Sequence, residues 1–331
     1  MNTVLEVTNL EQKFQLTKTY LDSLKIRKGR LVRERKICHA VNGISFKVAE
    51  GETFSLVGES GCGKSTTART VIKLLEPHGG KIVFNGTDIT NLSRRQFLPF
   101  RKQIQMIFQD PYASLNPRDK VIDIVTAPML LHNIVKSKKE AFDLGVEIFR
   151  KVGIREEQVS RFPHQFSGGQ RQRIGIARAL AVNPSFIVAD EPVSALDVSI
   201  QAQILNLLMD LQSEFGFSYL FIAHDLAVVR HISNFIGVMY LGMIVEQGTK
   251  QHIFENPKHP YTEALLASTP RITGDNLDKS KPVTGEIPSP VDLPSGCYFH
   301  DRCPYVKPEC REIMPPEKEV ERGHWVSCHL Y

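Results

Sequence analysis

Residues 58–65 of the chain read Gly-Glu-Ser-Gly-Cys-Gly-Lys-Ser and follow the apolar stretch Thr53–Val57. This order fits the pattern G-x-x-x-x-G-K-[ST], in which glycines let backbone N–H groups curl around phosphate oxygens. Lys64 can reach the outer phosphates, Ser65 can ligate Mg²⁺, and the positive end of a following helix faces the same phosphates. We predict a strand at 53–57, a helix at 66–75 and a nucleotide-binding loop between them. The expected nucleotide contacts are Gly58, Ser60, Gly61, Gly63, Lys64, Ser65 and Thr66.

Strand and helix patterns alternate over the first 250 residues or so. Phe186–Ala189 and Tyr219–Ala223 are short continuous apolar runs, typical of strands buried on both faces of a parallel sheet. Between them, apolar residues repeat at helical spacing from Ile200 to Leu211. The first part of the chain is therefore predicted to be α/β.

Two segments interrupt this alternation. Asn85-Gly86 marks a tight hairpin turn, so an antiparallel piece accompanies the parallel sheet. Strand patterns are absent from about 111 to 166, where an amphipathic helix is marked by Phe142, Val146, Phe149 and Val152. After about residue 256, prolines punctuate a polar linker that leads to a cysteine-rich end. We expect a helical subdomain inserted into the core and a small C-terminal extension.

The composition excludes whole classes of protein. The 331 residues are 42% hydrophobic and 23% charged, which excludes a disordered or fibrous chain. No run of about 18 or more consecutive apolar residues occurs, and the first residues lack the basic-then-apolar order of a signal peptide. We predict that the chain neither spans a membrane nor enters the secretory route.

The net charge of +5 is concentrated in one segment, residues 13–39. Nine basic and two acidic side chains there give a local charge of +7, which leaves the remainder near −2 (5 − 7). Three interpretations compete: first a solvated surface insert, then contact with anionic lipid headgroups, then nucleic acid. Charge alone cannot separate lipid from nucleic acid, because both respond to the same field.

Asp190-Glu191 directly follows the apolar run Phe186–Ala189. Hydrolysis of a nucleotide needs both charge compensation and a positioned water, and adjacent carboxylates can divide these tasks. We assign Asp190 to Mg²⁺ and Glu191 to the attacking water.

Ser167-Gly168-Gly169-Gln170 lies between Phe166 and a helical run through Leu180. A hydroxyl and glycine amides at a helix N-terminus suit a terminal phosphate. This segment resembles the signature of ATP-binding cassette (ABC) ATPases, with Phe166 where leucine is commoner. The resemblance implies an α/β ABC-type P-loop ATPase core, with a RecA-like mixed sheet, an antiparallel β subdomain and an inserted α-helical subdomain at about 111–175.

The same resemblance assigns further residues that occur in the family's order. Gln109 matches the glutamine that senses Mg²⁺ and the attacking water, and His224 matches the switch histidine at the γ-phosphate. Asp197 ends the loop 194–197, which crosses the dimer interface in this family. Adenine usually stacks on an aromatic residue upstream of the phosphate loop, for which Phe14 is the first candidate and Tyr20 the second.

The resemblance also implies a dimer, because the phosphate loop of one cassette faces residues 167–170 of another across bound ATP. Asn256–Thr262 and Ser114–Arg118 are similar to segments of the ATPases of dipeptide, oligopeptide and nickel importers. Within that group the chain looks most like the second of two ATPase subunits. The implied partners are a homologous ATPase, two membrane permease subunits and an extracellular or periplasmic substrate-binding protein, and the implied location is the cytoplasmic face of the membrane. We expect a cassette over 1–255, with its basic insert at about 15–39, and an importer-type extension over 256–331.

Four of the six cysteines, Cys297, Cys303, Cys310 and Cys328, fall in the last 35 residues. Without a signal peptide the compartment is expected to be reducing, which favours a metal or cluster site over disulfides. Three interpretations stay open: a [4Fe–4S] cluster, structural zinc with His300, His324 or His329 as alternative ligands, or unliganded thiols. The related peptide-importer ATPases carry such a cluster, so the resemblance favours iron–sulfur, with a structural role.

The sequence therefore predicts an ATP-hydrolysing subunit that powers import of dipeptides or oligopeptides through partner permeases. Import of nickel or a metal chelate is the alternative within transport. A soluble ABC protein of DNA repair or translation is the alternative from another class, and it lacks support because neither a coiled-coil interruption nor a second cassette occurs.

Overall fold

The computed structural model describes residues 2–16, 24–27, 30–33, 36–268 and 285–331, with the backbone alone for 24–27 and 30–33. Tyr20 lies outside these residues. Within the described ranges, no helix combines the length and the apolar character that crossing a membrane requires.

The chain alternates strands and helices up to residue 267 and ends in a short hairpin. The strands are β1 (Thr3–Gln15), β2 (Leu24–Arg27), β3 (Arg30–Arg33), β4 (Ile37–Ala49), β5 (Thr53–Val57), β6 (Gly79–Phe84), β7 (Thr87–Asp88), β8 (Ile104–Ile107), β9 (Phe186–Asp190), β10 (Ser218–Ala223), β11 (Phe235–Tyr240), β12 (Met243–Thr249), β13 (Lys318–Glu321) and β14 (His324–Val326). The helices are α1 (Lys64–Val71), α2 (Arg94–Phe97), α3 (Pro111–Ser114), α4 (Val121–Leu131), α5 (Lys138–Lys151), α6 (Gly168–Leu180), α7 (Val198–Phe215), α8 (Leu226–Ile232), α9 (Lys250–Glu255) and α10 (Pro260–Ala267).

An eight-stranded mixed sheet in the order β13-β14-β12-β11-β5-β10-β9-β8 forms the centre of the fold. Its five strands from β11 to β8 run parallel. Along β10, Leu220 and Ile222 enter one hydrophobic core, and Tyr219 and Phe221 enter another on the opposite face. Both faces are thus buried, which explains why these strands are continuous apolar runs rather than alternating ones.

A separate antiparallel sheet in the order β4-β1-β6-β7 covers one face of the core. The predicted hairpin at Asn85-Gly86 is confirmed, since β6 pairs with β7 and both turn residues have positive φ (46° and 75°). Strands β1 and β4 pair as far as Gln15 and Ile37, and the short antiparallel pair β2-β3 lies in the connection between them. The described part of the basic insert between the two strands is therefore itself a short antiparallel pair.

The predicted helical subdomain is confirmed between β8 and α6, where no residue from 111 to 166 forms a strand. The expected amphipathic pattern is confirmed at Val146, Phe149 and Val152, which are buried in or just after α5, and is wrong at Phe142, which is 41% exposed. The three buried residues belong to the same hydrophobic core as the sheet residues Tyr219 and Phe221. The subdomain is thereby held against the face of the sheet opposite the antiparallel layer.

The helix predicted at 66–75 is wrong at both ends, because α1 spans Lys64–Val71. It begins earlier because Gly63, in a left-handed conformation, ends the phosphate loop and starts the first turn. It stops earlier because Lys73 adopts φ 57° and the N–H of Leu74 bonds back to Arg69 O at 2.9 Å. This is the Schellman pattern of helix termination, which usually uses glycine at the left-handed position.

The C-terminal residues join the central sheet. Strand β14 pairs with β12, with Val326 opposite Glu246 and Trp325 opposite Gln247, and β13 continues the sheet outward. The extension thus adds two strands to an edge of the cassette sheet.

Candidate nucleotide site and cysteine cluster

The phosphate loop connects β5 to α1 and depends on its glycines. A Cβ atom at Gly58 would lie 2.1 Å from the carbonyl oxygen of Met239, and one at Gly63 would lie 2.1 Å from that of Ala40. Both positions also have positive φ, which side chains rarely adopt. Only glycine therefore allows the loop to lie this close to the neighbouring strands.

Lys64 is buried at the start of α1, and its ammonium group faces back into the loop. Nζ donates to the carbonyl oxygens of Gly58 at 2.8 Å and Glu59 at 2.9 Å. These carbonyls hold a cation in the centre of a loop whose free N–H groups attract phosphate. Thr66, predicted as a further nucleotide contact, lies in the first turn of α1.

The predicted Mg²⁺ ligands Ser65 and Asp190 lie together. Ser65 Oγ donates to Asp190 Oδ1 at 2.7 Å, and Arg69 lies 3.9 Å from Asp190 Oδ2. Burial raises the pKa of Asp190, against the opposing effect of the Ser65 hydrogen bond and of Arg69. A hydroxyl beside a buried carboxylate is the oxygen donor set that Mg²⁺ prefers, so these residues fit the ion.

Gln109, Glu191 and His224 meet at one point. Gln109 Nε2 donates to Glu191 Oε2 at 2.9 Å, and His224 Nδ1 lies 3.4 Å from the same oxygen. Glu191 has φ 45°, an unusual conformation for a residue with a side chain, and its N–H bonds to Ile222 O. The chain therefore turns sharply at the end of β9, and a residue held in this strained conformation at a strand end is typical of a functional site.

These three side chains line an open cleft of about 470 Å³. The cleft is also lined by Ser60 from the phosphate loop, and by Asp110, Ser194 and Ala195. The Glu191 side chain is only 15% exposed, whereas His224 is 54% exposed. A mostly buried carboxylate can hold one water molecule in a defined position, and the accessible imidazole beside it can contact a substrate that enters the cleft.

Ser167 to Gln170 form the N-terminus of α6 and are not among the residues that line this cleft. Ser167 and Gln170 make a reciprocal capping box, with Gln170 N–H donating to Ser167 Oγ at 3.4 Å. Gly169 lies against Ile200 and Gly168 against Leu196, next to Asp197 at the start of α7. The segment is thus a capped helix end that is built separately from the phosphate loop of the same chain.

Phe14 lies near the end of β1, where it is partly buried and paired with Cys38 on β4. The strand β4 continues to Ala40, whose carbonyl oxygen packs against Gly63 of the phosphate loop. The sheet thus places Phe14 at the end of β1 that faces the loop.

The four C-terminal cysteines line one pocket, and none forms a disulfide. Each sulfur receives a backbone N–H: from Phe299 to Cys297, from Tyr305 to Cys303, from Lys307 to Cys310 and from Leu330 to Cys328. Burial raises the pKa of Cys297 and of Cys328 to about 11, and it also raises that of Cys303. Thiols of this kind stay protonated unless a cation binds, and a bound metal would deprotonate them.

The histidines proposed as alternative ligands are engaged elsewhere. His300 Nδ1 lies 2.8 Å from Cys297 O and its Nε2 lies 3.0 Å from Asp301, while His329 Nε2 lies 2.9 Å from Ile313 O. His324 lies on β14 with its Nε2 2.8 Å from Glu246. His300 and His329 line the same pocket as the four thiols, and both ring nitrogens of His300 and Nε2 of His329 already have protein partners.

A different group brings three candidate ligand atoms within 4.8 Å of one another: His252, Glu321 and His324. The imidazole rings of His252 and His324 are stacked, with centroids 4.6 Å apart and planes 5° from parallel. A metal ion lies close to the plane of each imidazole that binds it, so one ion cannot serve both rings in this arrangement. We assign no metal to this group.

Two contacts of the phosphate loop had no signal in the sequence. Arg302 forms an ion pair with Glu59 through both guanidinium nitrogens, at 2.7 and 2.9 Å. Tyr261 Oη accepts the N–H of Glu59 at 2.9 Å. Because these residues lie more than 200 positions from Glu59, no local pattern could have paired them.

Comparisons with known proteins agree with this geometry. Residues 41–194 match the ABC transporter family, and residues 245–310 match the family "Oligopeptide/dipeptide transporter, C-terminal region". The oligopeptide transport ATP-binding protein AppF of Bacillus subtilis is 50% identical over 99% of this chain and 98% of its own. The dipeptide transport ATP-binding protein DppF of Escherichia coli is 47% identical over 92% of this chain and 90% of its own.

Solved structures support the fold independently. The dimeric ATP-binding cassette MJ0796, in a post-hydrolysis state bound to ADP and Pi, superposes with a TM-score of 0.64 and 26% identity. The match covers 74% of this chain and 98% of that one. The structure cbiO1 from Clostridium perfringens, part of the ABC transporter complex cbiONQ, superposes with a TM-score of 0.63 and 26% identity. That match covers 77% of this chain and 92% of the other. The predicted ABC ATPase fold and ATP hydrolysis are confirmed, and the chain belongs to the family of ABC transporter ATP-binding subunits that carry the oligopeptide/dipeptide transporter C-terminal region.

Proposed function

We propose that the chain hydrolyses ATP with Glu191 as general base, in a cleft completed by a second cassette. The contact of Gln109 and His224 with the same Glu191 oxygen carries this proposal, because it places three groups around one position for the attacking water. Ser65 and Asp190 would hold Mg²⁺, which compensates the charge of the phosphates when it is bound. Phe14 would stack on adenine, and Lys64 would bind the outer phosphates.

The second cassette would supply the segment Ser167–Gln170. Its hydroxyl and glycine amides lie at a helix N-terminus, as an anion site requires, yet they do not line the cleft of their own chain. Asp197, at the start of α7 beside this segment, would contact the partner. ATP between the two surfaces would close the dimer, and hydrolysis would release it.

The variant Glu191→Gln tests this assignment. We expect turnover to fall by about 10²- to 10⁴-fold, because the general base is lost while the shape of the site is kept. ATP should still bind, and the variant should accumulate as a dimer in size-exclusion chromatography with ATP. The control Glu255→Gln changes an exposed carboxylate at the end of α9. Hydrolysis by Glu191→Gln at the rate of this control would exclude Glu191 as the base.

We further propose that hydrolysis powers the import of dipeptides or oligopeptides. The observation that supports this substrate class is the C-terminal match at 245–310, together with relatives named for oligopeptide and dipeptide transport over nearly the whole chain. The partners would be a homologous second ATPase subunit, two permeases and a substrate-binding protein, with this chain at the cytoplasmic face of the membrane. In this arrangement residues 1–255 are the cassette, with the basic insert at about 15–39, and residues 256–331 are the family-specific extension.

Affinity purification of the tagged chain from host membranes tests the partners. We expect two permeases and a second, different ATPase to copurify, and we expect peptides to stimulate ATP turnover of the complex in the presence of its binding protein. Stimulation by nickel or a nickel chelate instead would assign the chain to metal import. Recovery of the chain alone or as a homodimer would exclude the heterodimer.

We propose that Cys297, Cys303, Cys310 and Cys328 hold a [4Fe–4S] cluster. Two observations support this proposal: the four thiols line one pocket, and a backbone N–H is directed at each sulfur. Such N–H groups can donate hydrogen bonds to the thiolates of a cluster. In tetrahedral zinc sites bonds of about 2.3 Å place sulfurs about 3.8 Å apart. In the described residues, only His252, Glu321 and His324 bring three candidate ligand atoms within 4.8 Å, and the cysteines do not. A cubane spreads its thiolates farther, because each binds a different iron.

Iron and acid-labile sulfide assays on anaerobically purified protein test the cluster. We expect about four of each per chain, with loss of both in Cys303→Ser. Cys38, outside the pocket, provides the matched control in Cys38→Ser. Stoichiometric zinc would replace the cluster with a structural metal site, and absence of any metal would exclude both.

A further inference from the structure

The C-terminal extension contacts the phosphate loop at Glu59. Arg302 pairs with the Glu59 carboxylate through two guanidinium nitrogens, Nη1 to Oε2 at 2.7 Å and Nη2 to Oε1 at 2.9 Å. The pair is mostly buried, with side chains 10% and 27% exposed. A bidentate pair fixes orientation as well as charge, so it holds this carboxylate in one position.

Tyr261 holds the same residue from its backbone side. Its Oη accepts the Glu59 N–H at 2.9 Å, while the Glu59 carbonyl oxygen accepts from Lys64 Nζ at 2.9 Å. All three polar groups of Glu59 are therefore engaged, two of them by the extension and one by the lysine of the nucleotide site. A shift at Glu59 would move the carbonyl that orients Lys64.

Arg302 is itself fixed by the aromatic residues around it. Its guanidinium lies 5.7 Å from the ring centre of Tyr240 and 5.8 Å from that of Phe299. Phe299 packs against Tyr240 and Tyr261 with centroids 5.3 and 5.4 Å apart. These rings restrict the guanidinium to one direction, toward the loop.

Arg302 and Phe299, one of the rings beside it, belong to the cysteine turn. Arg302 directly precedes Cys303, its N–H bonds to Phe299 O at 3.0 Å, and the Phe299 N–H in turn faces the sulfur of Cys297. The turn 297–303 contains little regular structure, so its shape depends on what the thiols bind. A change at the thiols would reach Arg302 through two hydrogen bonds.

We propose that Arg302 is a positioning residue for the phosphate loop, through which the four-cysteine turn sets the affinity of the chain for ATP. It neutralises the Glu59 carboxylate, which would otherwise repel the phosphates, and it keeps the loop in the shape that aims Lys64. The role of Arg302 rests on the proposed nucleotide site, and the link from the cysteine turn to ATP affinity also rests on a ligand at the thiols. It is independent of what is transported and of which metal is bound.

The first test measures the dissociation constant of a fluorescent ATP analogue by equilibrium titration. We expect Arg302→Gln to weaken binding at least fivefold, within the range of ordinary coupling between sites. The dissociation constant of Arg302→Lys should lie between those of the wild type and Arg302→Gln, because lysine keeps the charge and loses the bidentate geometry of the guanidinium. The double variant Arg302→Glu with Glu59→Arg should bind ATP more tightly than either single charge reversal, because the reversed pair restores the contact between the extension and the loop.

The matched control is Arg322→Gln, which removes an exposed arginine between β13 and β14 in the same extension. It should leave the dissociation constant unchanged. Hydrogen exchange of residues 58–65 provides a second readout, and we expect faster exchange in Arg302→Gln and not in the control. Unchanged affinity and unchanged exchange in Arg302→Gln would overturn the proposal, because a merely structural role would alter thermal stability alone.

The second test is a double-mutant cycle between Cys303→Ser and Arg302→Gln. If the turn acts on ATP through Arg302, the two losses of affinity should not add, and the double variant should bind like Arg302→Gln alone. Additive losses would show that the turn and the arginine act independently. Full affinity in Cys303→Ser would exclude the link to the thiols, while the role of Arg302 would still be decided by the first test.

Discussion

The nucleotide cleft and the cysteine pocket are both polar sites, but they are built in opposite ways. Gln109, Asp190 and His224 lie at the carboxyl ends of the parallel strands β8, β9 and β10, which meet at one edge of the sheet. The cysteines lie in a region with two short strands and one 3-10 turn, where N–H groups directed at the sulfurs hold the backbone. Regular structure positions the first site, and side chains hold the second together.

The two sites also differ in how their charges are balanced. Asp190 has Ser65 and Arg69 beside it, so the cleft carries its own partners for a buried carboxylate. Burial raises the pKa of Cys297 and Cys328 to about 11, because it removes water that would stabilise a thiolate, and the neighbouring cysteines raise both values further. Within this chain, the buried carboxylate of the cleft has polar and charged partners, whereas the thiols of the pocket would become charged only with a bound cation.

The largest expected effect concerns the aromatic support of the pocket. Phe299 is fully buried and contacts Tyr240, Tyr261 and His259. Phe299→Ala should destabilise the extension by about 3–5 kcal/mol, because a large buried ring leaves a cavity. Hydrogen exchange resolved along the chain should show the loss over 297–328, with the central strands β9 and β10 unchanged.

Ile313→Ala provides the control, since Ile313 is exposed in the same extension. It should leave exchange unchanged. Equal destabilisation of β9 and β10 in Phe299→Ala would contradict the comparison, because the extension would then be part of one cooperative unit with the cassette.

Lys64→Ala should have a large effect on chemistry and a small one on the fold. Lys64 donates to two loop carbonyls and would bind the outer phosphates, so we expect ATP turnover to fall by about 10²- to 10³-fold. Steady-state hydrolysis measures this loss, with the exposed Lys102→Ala as control. A large fall in melting temperature in Lys64→Ala, absent from Lys102→Ala, would mean that the cleft, like the pocket, depends on its side chains for folding.

The smallest expected effect is a pH dependence confined to the extension. Burial lowers the pKa of His259 to about 4, below the ordinary value near 6.5, and its Nδ1 accepts the N–H of Tyr261 at 3.0 Å. Because the unfolded state binds the proton more tightly, the stabilisation is present above pH 6.5 and is lost as pH falls toward 4. From pH 7.5 to 5.5 the loss should be about 1 kcal/mol.

Thermal unfolding of the wild type and of His259→Asn at the two pH values checks this sign. Asparagine can still accept the N–H of Tyr261 at the helix start but does not titrate, so the variant should lose less stability on acidification. Equal losses in both proteins would assign the pH dependence to other groups.

Much of the fold and of the cleft could be predicted from the sequence, because the relevant patterns are local. Thr53–Val57, Phe186–Ala189 and the turn at Asn85-Gly86 became strands and a hairpin as expected. The helix predicted at 66–75 was wrong at its end, because Lys73 takes a left-handed conformation that side chains other than glycine seldom adopt. The assignments of Glu191, His224 and Gln109 stay predictions of role, although the structure brings their side chains together.

The sequence by itself determined the phosphate loop, the alternation of strands and helices in the first part of the chain and the set of four cysteines. These depend on spacing and residue type over a few positions, where backbone conformation and hydrophobic periodicity act. The pairing of β14 with β12, and the contact of Arg302 and Tyr261 with Glu59, were decided only by the tertiary structure. Such contacts depend on how separate elements pack against one another, and packing joins residues hundreds of positions apart that leave no mark on each other in the sequence.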